Sequence, residues 1–212
     1  MIVSPSFLSS NFNKLKEEIL SVNQSKWLHF DVMDGKFVKN QTYDFKLVKE
    51  VKQYSKQFFD VHLMIENPEN DFINYVNSGA DLITFHYEAT NDPLNLIKTI
   101  KDKGVLAGIS IKPNTKVEVL NNLLPHLDLI LIMSVEPGKG GQEFISNSLN
   151  KIDYLHQKRL EYNYSYYIEV DGGINLENAQ RVRLAGCDVI VVGSFLFKNS
   201  NRGNLIGELE NV

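Results

Sequence analysis

The stretch His29-Phe30-Asp31-Val32-Met33-Asp34-Gly35 carries more information about this chain than any other. A β-strand projects alternate residues to opposite faces, so His29, Asp31 and Met33 share one face of a predicted strand. That face combines an imidazole, a carboxylate and a thioether. The pattern therefore predicts a strand whose exposed groups can do chemistry.

Two further predicted strands repeat this arrangement. The run 58–64 has His62 and Met64 two residues apart, and another strand ends in Val170-Asp171-Gly172-Gly173. Two histidines and two aspartates therefore converge from three strands. Such a set can hold one divalent cation and still offer carboxylates for proton transfer.

Short apolar runs alternate with segments of helical period, and the alternation recurs eight times. Helical period is clearest in 13–24 and 147–160. This alternation predicts an α/β fold, a parallel sheet closed as a (β/α)8 TIM barrel, with 1–212 forming one domain. A doubly wound open sheet is the alternative, but it usually brings a glycine-rich turn after the first strand, and Ser4-Pro5-Ser6 is not one. The predicted strands are 2–7, 27–33, 58–64, 81–86, 105–111, 127–135, 166–171 and 189–194.

Composition limits the classes of partner. The chain has 212 residues and a formal net charge of −4, which leaves no basic field for nucleic acid or anionic lipid. We expect a small-molecule partner and no membrane segment, since no apolar run approaches spanning length and 1–5 do not resemble a signal peptide. Cys187 is the only cysteine, so no internal disulfide can form, and we expect it to be a buried structural residue of a cytoplasmic protein.

Methionines add to the pattern at the strand ends. Met33, Met64 and Met133 are all the methionines apart from Met1, and each falls at the end of a predicted strand. In a barrel of this kind the active site forms at the carboxyl ends of the strands. Convergence of several such side chains on one rim favours a functional site over core filling.

An ordered set of motifs resembles the ribulose-phosphate 3-epimerase family across nearly the whole chain. The set comprises Ser4-Pro5-Ser6, 29–35, Asp60-Val61-His62-Leu63-Met64, Pro137-Gly138-Lys139-Gly140-Gly141-Gln142, Val170-Asp171-Gly172-Gly173 and Gly193-Ser194. The resemblance implies a barrel of the ribulose-phosphate-binding type. It also implies a metal-dependent enzyme of the pentose phosphate pathway that interconverts D-ribulose 5-phosphate and D-xylulose 5-phosphate.

By that resemblance the metal ligands are His29, Asp31, His62 and Asp171, and the acid/base pair is Asp31 and Asp171. Inverting C3 of a 2-ketose requires removal of a proton, a metal-stabilised enediolate, and reprotonation from the opposite face, so two carboxylates must bracket the substrate. Met33, Met64 and Met133 would line the enediolate with groups that donate no proton. One divalent ion per subunit is expected; the ligand types suit zinc or ferrous iron, and cobalt or manganese could substitute.

Glycine-rich loops after the last three strands are expected to hold the substrate phosphate, since glycines let backbone N–H groups approach closely. The expected substrate-binding residues are Ser6, His62, Gly138, Lys139, Gly140, Gly141, Gly172, Gly173, Gly193 and Ser194. Three lysines depart from the family pattern: Lys139 replaces a common phenylalanine, Lys112 a frequent asparagine, and Lys39 a usual proline. None of the three is one of the four expected ligands, but they affect how tightly we expect the loops to close over the substrate.

Two alternatives remain at the level of sequence. One is epimerisation of a longer sugar, D-allulose 6-phosphate, because close relatives share all four ligands. The other is a non-catalytic phosphosugar-binding barrel, which would keep the glycine loops without proton chemistry and would bind no metal. Assembly as a homo-oligomer is expected in either case.

Overall fold

A computed structural model describes residues 1–212 and contains eight parallel β-strands in one sheet. Their order around the sheet is β1-β8-β7-β6-β5-β4-β3-β2, and a parallel bridge between Ser6 and His29 joins the two edge strands. The sheet therefore closes, and the predicted barrel is confirmed over the doubly wound alternative. The strands are β1 Ile2–Pro5, β2 Trp27–Met33, β3 Phe58–Met64, β4 Leu82–His86, β5 Leu106–Ile111, β6 Leu129–Met133, β7 Tyr167–Asp171 and β8 Val189–Val192.

Helices follow most strands and cover the outside of the sheet. They are α1 Leu15–Ser21, α2 Phe45–Lys52, α3 Phe72–Val76, α4 Pro93–Lys101, α5 Ser148–Tyr162, α6 Leu176–Leu184, α7 Ser194–Phe197 and α8 Arg202–Glu210. Short 3-10 helices cover Phe7–Ser9, Phe12–Lys14, Pro68–Asn70, Tyr87–Ala89, Val117–Leu120 and Leu124–His126. None of the helices is both long and apolar enough to cross a lipid bilayer.

The strict strand-helix alternation fails between β5 and β6. Only the 3-10 helices Val117–Leu120 and Leu124–His126 connect these strands, and the second has a proline at its start. The predicted helix 13–24 is also shorter than expected. Its first turn is the 3-10 helix Phe12–Lys14, and the backbone leaves helical geometry at Val22.

The two faces of each strand have different environments. Outward residues such as Leu28, Phe30 and Val61 join a continuous buried core between the sheet and the helices. Inward residues form a smaller apolar cluster that includes Leu129 and Leu131. Because the period of the strand is two, β2 places Leu28, Phe30 and Val32 on the outer face, and His29 and Asp31 inside the barrel between Trp27 and Met33.

A buried polar layer interrupts the barrel interior. It consists of side chains that point inward from the four adjacent strands β2 to β5 and from β7: His29, Asp31, Asp60, His62, Thr84, His86, Ser110 and Glu169, all 3% exposed or less. Burying so many polar groups is unfavourable unless each finds a partner. Polar side chains therefore replace apolar packing in this layer, which indicates a functional role for them.

Candidate active site

Strand register brings the predicted ligand residues together. In the β2–β3 pairing Asp31 lies opposite His62, and Met33 opposite Met64. Asp171 ends β7. On the side of β2 away from β3, the barrel continues with β1, then β8, then β7. One ligand atom from each of His29, Asp31, His62 and Asp171 lies within 4.8 Å of the others. The four residues thus form one cluster at the carboxyl end of the barrel.

Two imidazole nitrogens in the cluster face a single carboxylate oxygen. Asp31 Oδ1 lies 3.3 Å from His29 Nε2 and 3.4 Å from His62 Nδ1. Both nitrogens are buried and have no hydrogen-bond partner. Leaving such a group unsatisfied costs about 1–3 kcal/mol. Two imidazole nitrogens and two carboxylates are a common donor set for zinc or ferrous iron, so these residues fit a divalent cation.

The other nitrogen of each imidazole, on the side of the ring away from Asp31, lies within hydrogen-bond distance of a second buried side chain. His29 Nδ1 lies 2.5 Å from Asp60 Oδ2, and His62 Nε2 lies 3.0 Å from His86 Nε2. His86 Nδ1 in turn lies 3.3 Å from Glu88 Oε2. Sequence reasoning missed Asp60. The signal was present, because Asp60 precedes His62 by two residues and so shares its face.

The electrostatic setting separates the two aspartates. Burial alone would raise the pKa of Asp31, but His29 and His62 beside it hold that pKa well below its usual range. Burial, together with the charge of Asp31, raises the pKa of Asp171 to about 7. Ser6 Oγ also donates a hydrogen bond to Asp31 Oδ2 at 2.6 Å. Asp31 is therefore ionised at a pH where a substantial fraction of Asp171 still holds its proton, which is the arrangement that acid/base catalysis needs.

A cavity of about 310 Å³ opens above the cluster. This volume is at the lower end of the range for small-molecule sites. Asp31 and Asp171 line it, and so do Met33, Met64 and Met133. His29 and His62 do not line it, because they lie fully buried beneath its floor. The cavity thus brings both aspartates and all three predicted methionines to one surface.

The rim of the cavity is built from the predicted glycine loops. Ser6, Gly138, Lys139, Gly140, Gly141, Gly172, Gly173, Gly193 and Ser194 all line it. Gly173 has a φ of +63°, and a Cβ there would lie 2.5 Å from the backbone nitrogen of Phe144. Only glycine fits this conformation and this close approach. The loops therefore present backbone rather than side chains to the cavity.

Lys139 and Lys198 are the only basic residues that line the cavity. Both are exposed, and neither forms an ion pair with a carboxylate. Lys198 was missed in the sequence because it follows a helix of only four residues after Gly193. No motif indicates its place, which depends on how that short helix turns back toward the rim.

The loop after β2, residues 34–44, which we call the strap, contacts the rim of the cavity at Gly138. Asn40 Nδ2 donates a hydrogen bond of 2.7 Å to the carbonyl oxygen of Gly138. A Cβ on Gly138 would lie 2.8 Å from Val38, so the two loops touch. Lys112 Nζ lies 4.0 Å from the centre of the Phe37 ring in the same strap. Of the three lysines that depart from the family pattern, Lys112 thus packs on the strap rather than lining the cavity.

Solved structures with low sequence identity share this fold. A 3-hexulose-6-phosphate synthase superposes with a TM-score of 0.72 at 14% identity, over 100% of this chain and 99% of that one. KGPDC from Streptococcus mutans in complex with D-R5P gives a TM-score of 0.73 at 13% identity, over 99% of this chain and 95% of that one. At such identities the likeness shows the barrel fold alone.

Sequence relatives are much closer. Ribulose-phosphate 3-epimerase of Treponema pallidum (strain Nichols) is 41% identical over 205 residues, covering 96% of this chain and 94% of that protein. The protein of the same name from Schizosaccharomyces pombe is 39% identical over 214 residues, covering 99% and 92%. Residues 2–197 match the model of the Ribulose-phosphate 3 epimerase family. The chain therefore belongs to the ribulose-phosphate 3-epimerase family of enzymes, as the resemblance of its motifs indicated.

Proposed function

We propose that this enzyme inverts C3 of D-ribulose 5-phosphate to give D-xylulose 5-phosphate, with Asp31 and Asp171 as the two proton-transfer groups. The observation that carries the proposal is the pair of carboxyls on one cavity, with the pKa of Asp31 held low and that of Asp171 raised to about 7. A 3-epimerase needs this combination, a base on one side of C3 and an acid on the other.

In the forward direction the Asp31 carboxylate accepts the C3 proton. The electrons of the C–H bond form the C2–C3 double bond, and negative charge develops on the oxygen at C2. Asp171 then donates its proton to the opposite face of C3, which restores the ketone with inverted configuration. The reverse reaction exchanges the two roles. Ser6 supports the base, because its hydroxyl hydrogen-bonds the second Asp31 oxygen at 2.6 Å.

His29, Asp31, His62 and Asp171 would hold one divalent cation per subunit, zinc or ferrous iron, with cobalt or manganese as substitutes. When bound, the cation supplies positive charge that stabilises the negative charge developing on the substrate. The chain's own residues set the rest of the environment. Met33, Met64 and Met133 offer no exchangeable proton, so the enediolate can be protonated by the two aspartates but not by its surroundings.

The phosphate is proposed to bind at the glycine rim. Backbone N–H groups in the loops containing Gly138, Gly140, Gly141, Gly172, Gly173, Gly193 and Ser194 can approach it closely, and Lys139 adds a positive charge. His62, the remaining expected substrate-binding residue, does not line the cavity, so we propose that it acts on the sugar indirectly, through Asp31 and the cation. D-allulose 6-phosphate carries the same reacting C3 and a phosphate on a chain one carbon longer, so it is the comparison substrate.

The test is proton NMR of D-ribulose 5-phosphate in deuterium oxide with the full-length protein. We expect loss of the C3 proton signal with appearance of D-xylulose 5-phosphate, both stopped by a chelator. At matched metal content, D31N and D171N should each reduce epimerisation by about 10²–10⁴-fold. D153N, on the exposed face of α5, is the control.

The two variants should differ in which epimer they can still label. D171N retains Asp31 and should exchange deuterium into D-ribulose 5-phosphate without inverting it. D31N retains Asp171 and should exchange deuterium only into D-xylulose 5-phosphate. Labelling of both epimers by either variant would contradict the two-carboxylate assignment. Faster turnover of D-allulose 6-phosphate than of the pentulose by the wild-type enzyme would instead transfer the activity to the longer sugar.

We also propose that the enzyme works in the cytoplasm as a homo-oligomer. The single cysteine, Cys187, is buried and free, as in proteins that need no disulfide. Large apolar side chains such as Leu184, 82% exposed, and Leu160, 65% exposed, are available for subunit contacts. Light scattering on the purified protein would give the assembly state directly, and a monomer would contradict this part.

A further inference from the structure

Asp60 is a buried carboxylate that takes no part in the proton transfer described above. It lies on β3 opposite His29 in the β2–β3 register, and both side chains point into the barrel with no solvent exposure. Its Oδ2 atom lies 2.5 Å from His29 Nδ1. That distance is a short hydrogen bond to a charged acceptor, of the kind worth more than a neutral one.

This hydrogen bond determines which nitrogen of His29 is free. When the Nδ1–H group donates to Asp60, Nε2 is the nitrogen left to bind a cation; it lies 3.3 Å from Asp31 Oδ1 and has no hydrogen-bond partner. A carboxylate behind a ligand histidine also makes the imidazole a stronger donor to a metal. We propose that Asp60 is the positioning residue of the site, fixing the tautomer and ring orientation of His29 for the cation; this rests on the metal cluster of the proposed function.

Glu169 is the other carboxyl beside His29, and geometry excludes it from this role. Its Oε1 atom lies 3.9 Å from His29 Nδ1, beyond hydrogen-bond distance, and neither of its oxygens has a hydrogen-bond partner. It lies on β7, two residues before Asp171. Glu169 is thus as buried as Asp60 and lies beside the same imidazole, but it makes no hydrogen bond to His29.

A second cation held between His29, Asp60 and Glu169 is the competing interpretation, because these three also cluster. Tetrahedral ligands about 2.0–2.2 Å from a zinc ion lie about 3.4 Å apart. The 2.5 Å separation of His29 Nδ1 from Asp60 Oδ2 is much shorter than that. The geometry is that of a shared proton, which leaves Asp60 behind the ligand rather than beside a second metal.

The two histidine ligands differ in this respect. His62 Nε2 is backed by the imidazole of His86 at 3.0 Å, a partner without a formal charge when neutral. Asp60 is therefore the carboxylate that backs a ligand histidine through a direct hydrogen bond, and its removal should affect the site more than removal of any neighbouring carboxyl.

The experiment measures zinc affinity of the full-length metal-free protein by competition with a chromophoric chelator. D60N keeps the shape but removes the charge, and should weaken zinc binding about 10–100-fold. E169Q is the matched control, an equally buried carboxyl at the same cluster, and should stay within about threefold. Circular dichroism and urea unfolding of both variants check that each is folded.

Nitrogen-edited proton NMR of the zinc-loaded wild-type protein gives a readout that needs no variant. His29 should show an Nδ1–H proton far downfield, as in a short hydrogen bond, and D60N should move it upfield. A proton on Nε2, or no shift in D60N, would overturn the assignment, as would equal zinc affinities or an equal loss in E169Q. Epimerase activity is recorded separately: zinc affinity that depends on Asp60 in a protein without epimerase activity would refute the proposed function and leave Asp60's role standing.

Discussion

Lys139 and Lys198 provide the only positive side-chain charges on a cavity that also carries Asp31, Glu136 and Asp171. A sugar phosphate brings about two negative charges to this surface at neutral pH. We expect K139M/K198M to raise KM for the pentulose phosphate about 2–30-fold, since two exposed charge pairs are lost and each contributes roughly 0.2–1 kcal/mol. The value of kcat should change little, because neither lysine lies at the aspartates. Steady-state kinetics over a range of salt concentrations would check this.

The control for the lysine pair is K56M, an exposed lysine just before β3, at the opposite end of the barrel. Wild type and K56M should show KM rising with salt, whereas the double variant should show a weak dependence, since the screened attraction is already gone. An unchanged KM and an unchanged salt dependence in K139M/K198M would show that both lysines point to solvent.

Glu88 couples the site to the stability of the fold. Burial would raise its pKa, but hydrogen bonds from His86, Thr115 and the backbone of Lys112 lower the pKa from 4.5 to about 2. Such a group contributes stability above pH 4.5 that is lost as the pH falls toward 2. We expect E88Q to lower the free energy of unfolding by about 2–3 kcal/mol at neutral pH.

Urea unfolding at several pH values tests the Glu88 prediction. The difference between wild type and E88Q should be constant above pH 4.5 and should shrink between 4.5 and 2, the window set by the unfolded and folded pKa values. E118Q, at an exposed carboxyl on the 3-10 helix Val117–Leu120, is the matched control. A difference that does not change with pH would show that the hydrogen bonds survive without the charge.

At the scale of single residues, sequence patterns predict best what depends on spacing alone. His29, Asp31 and Met33 share a face because they are two apart, and the same spacing joins His62 to Met64. The role of Asp60 is harder to predict, because it depends on which residue of β2 lies opposite Asp60. No pattern within a single strand gives that register. The place of Lys198 at the cavity cannot be predicted without the path of the whole segment after β8.

Among the elements, the connection between β5 and β6 departs most from prediction. The run of apolar residues there indicates a helix of the barrel's outer layer, but Pro113 and Pro125 limit helix formation, and only 3-10 turns form. Irregular backbone leaves carbonyl groups without partners. Eight strands are nonetheless predictable, because each is a short segment with buried apolar residues at every second position or in a run, bounded by turns or by segments of helical period.

Lys151 compensates for that irregular connection. Its ammonium donates to the carbonyl oxygens of Lys112, Pro113 and Thr115 at 3.0, 2.7 and 2.7 Å. Since α5 supplies the lysine, one helix holds the loop after β5. We expect K151M to lower the free energy of unfolding by about 2–3 kcal/mol, because hydrogen bonds to a charged group are lost and the buried carbonyls remain.

Urea unfolding at neutral pH checks the Lys151 prediction. K98M, at an exposed lysine on α4, is the control and should stay within about 0.5 kcal/mol of wild type. Hydrogen exchange should also quicken in 112–120 of K151M and not in the neighbouring strands. A K151M variant as stable as K98M would mean that water satisfies the three carbonyls equally well.

On the scale of the whole molecule, the barrel is built around a polar layer that apolar packing does not fill. The proposed ligand atoms come from β2, β3 and β7, strands far apart in the chain, so this donor set exists only in the folded state. A cation that binds the native protein alone stabilises it by mass action. Metal content and global stability should therefore be linked, even though the site lies at one end of the barrel.

We expect removal of the metal by a chelator to lower the melting temperature by about 5–10 °C. A free metal concentration 100 times the dissociation constant contributes about 2.7 kcal/mol, and each kcal/mol shifts the melting temperature of a protein of this size by about 2–4 °C. Calorimetry with and without chelator measures the shift. H62N should lose most of it, because one buried ligand nitrogen is gone, whereas H126N, an exposed histidine, should retain it. A wild-type protein with the same melting temperature in chelator and in zinc would mean that the buried cluster is stable without a cation, and the polar layer would then need another explanation.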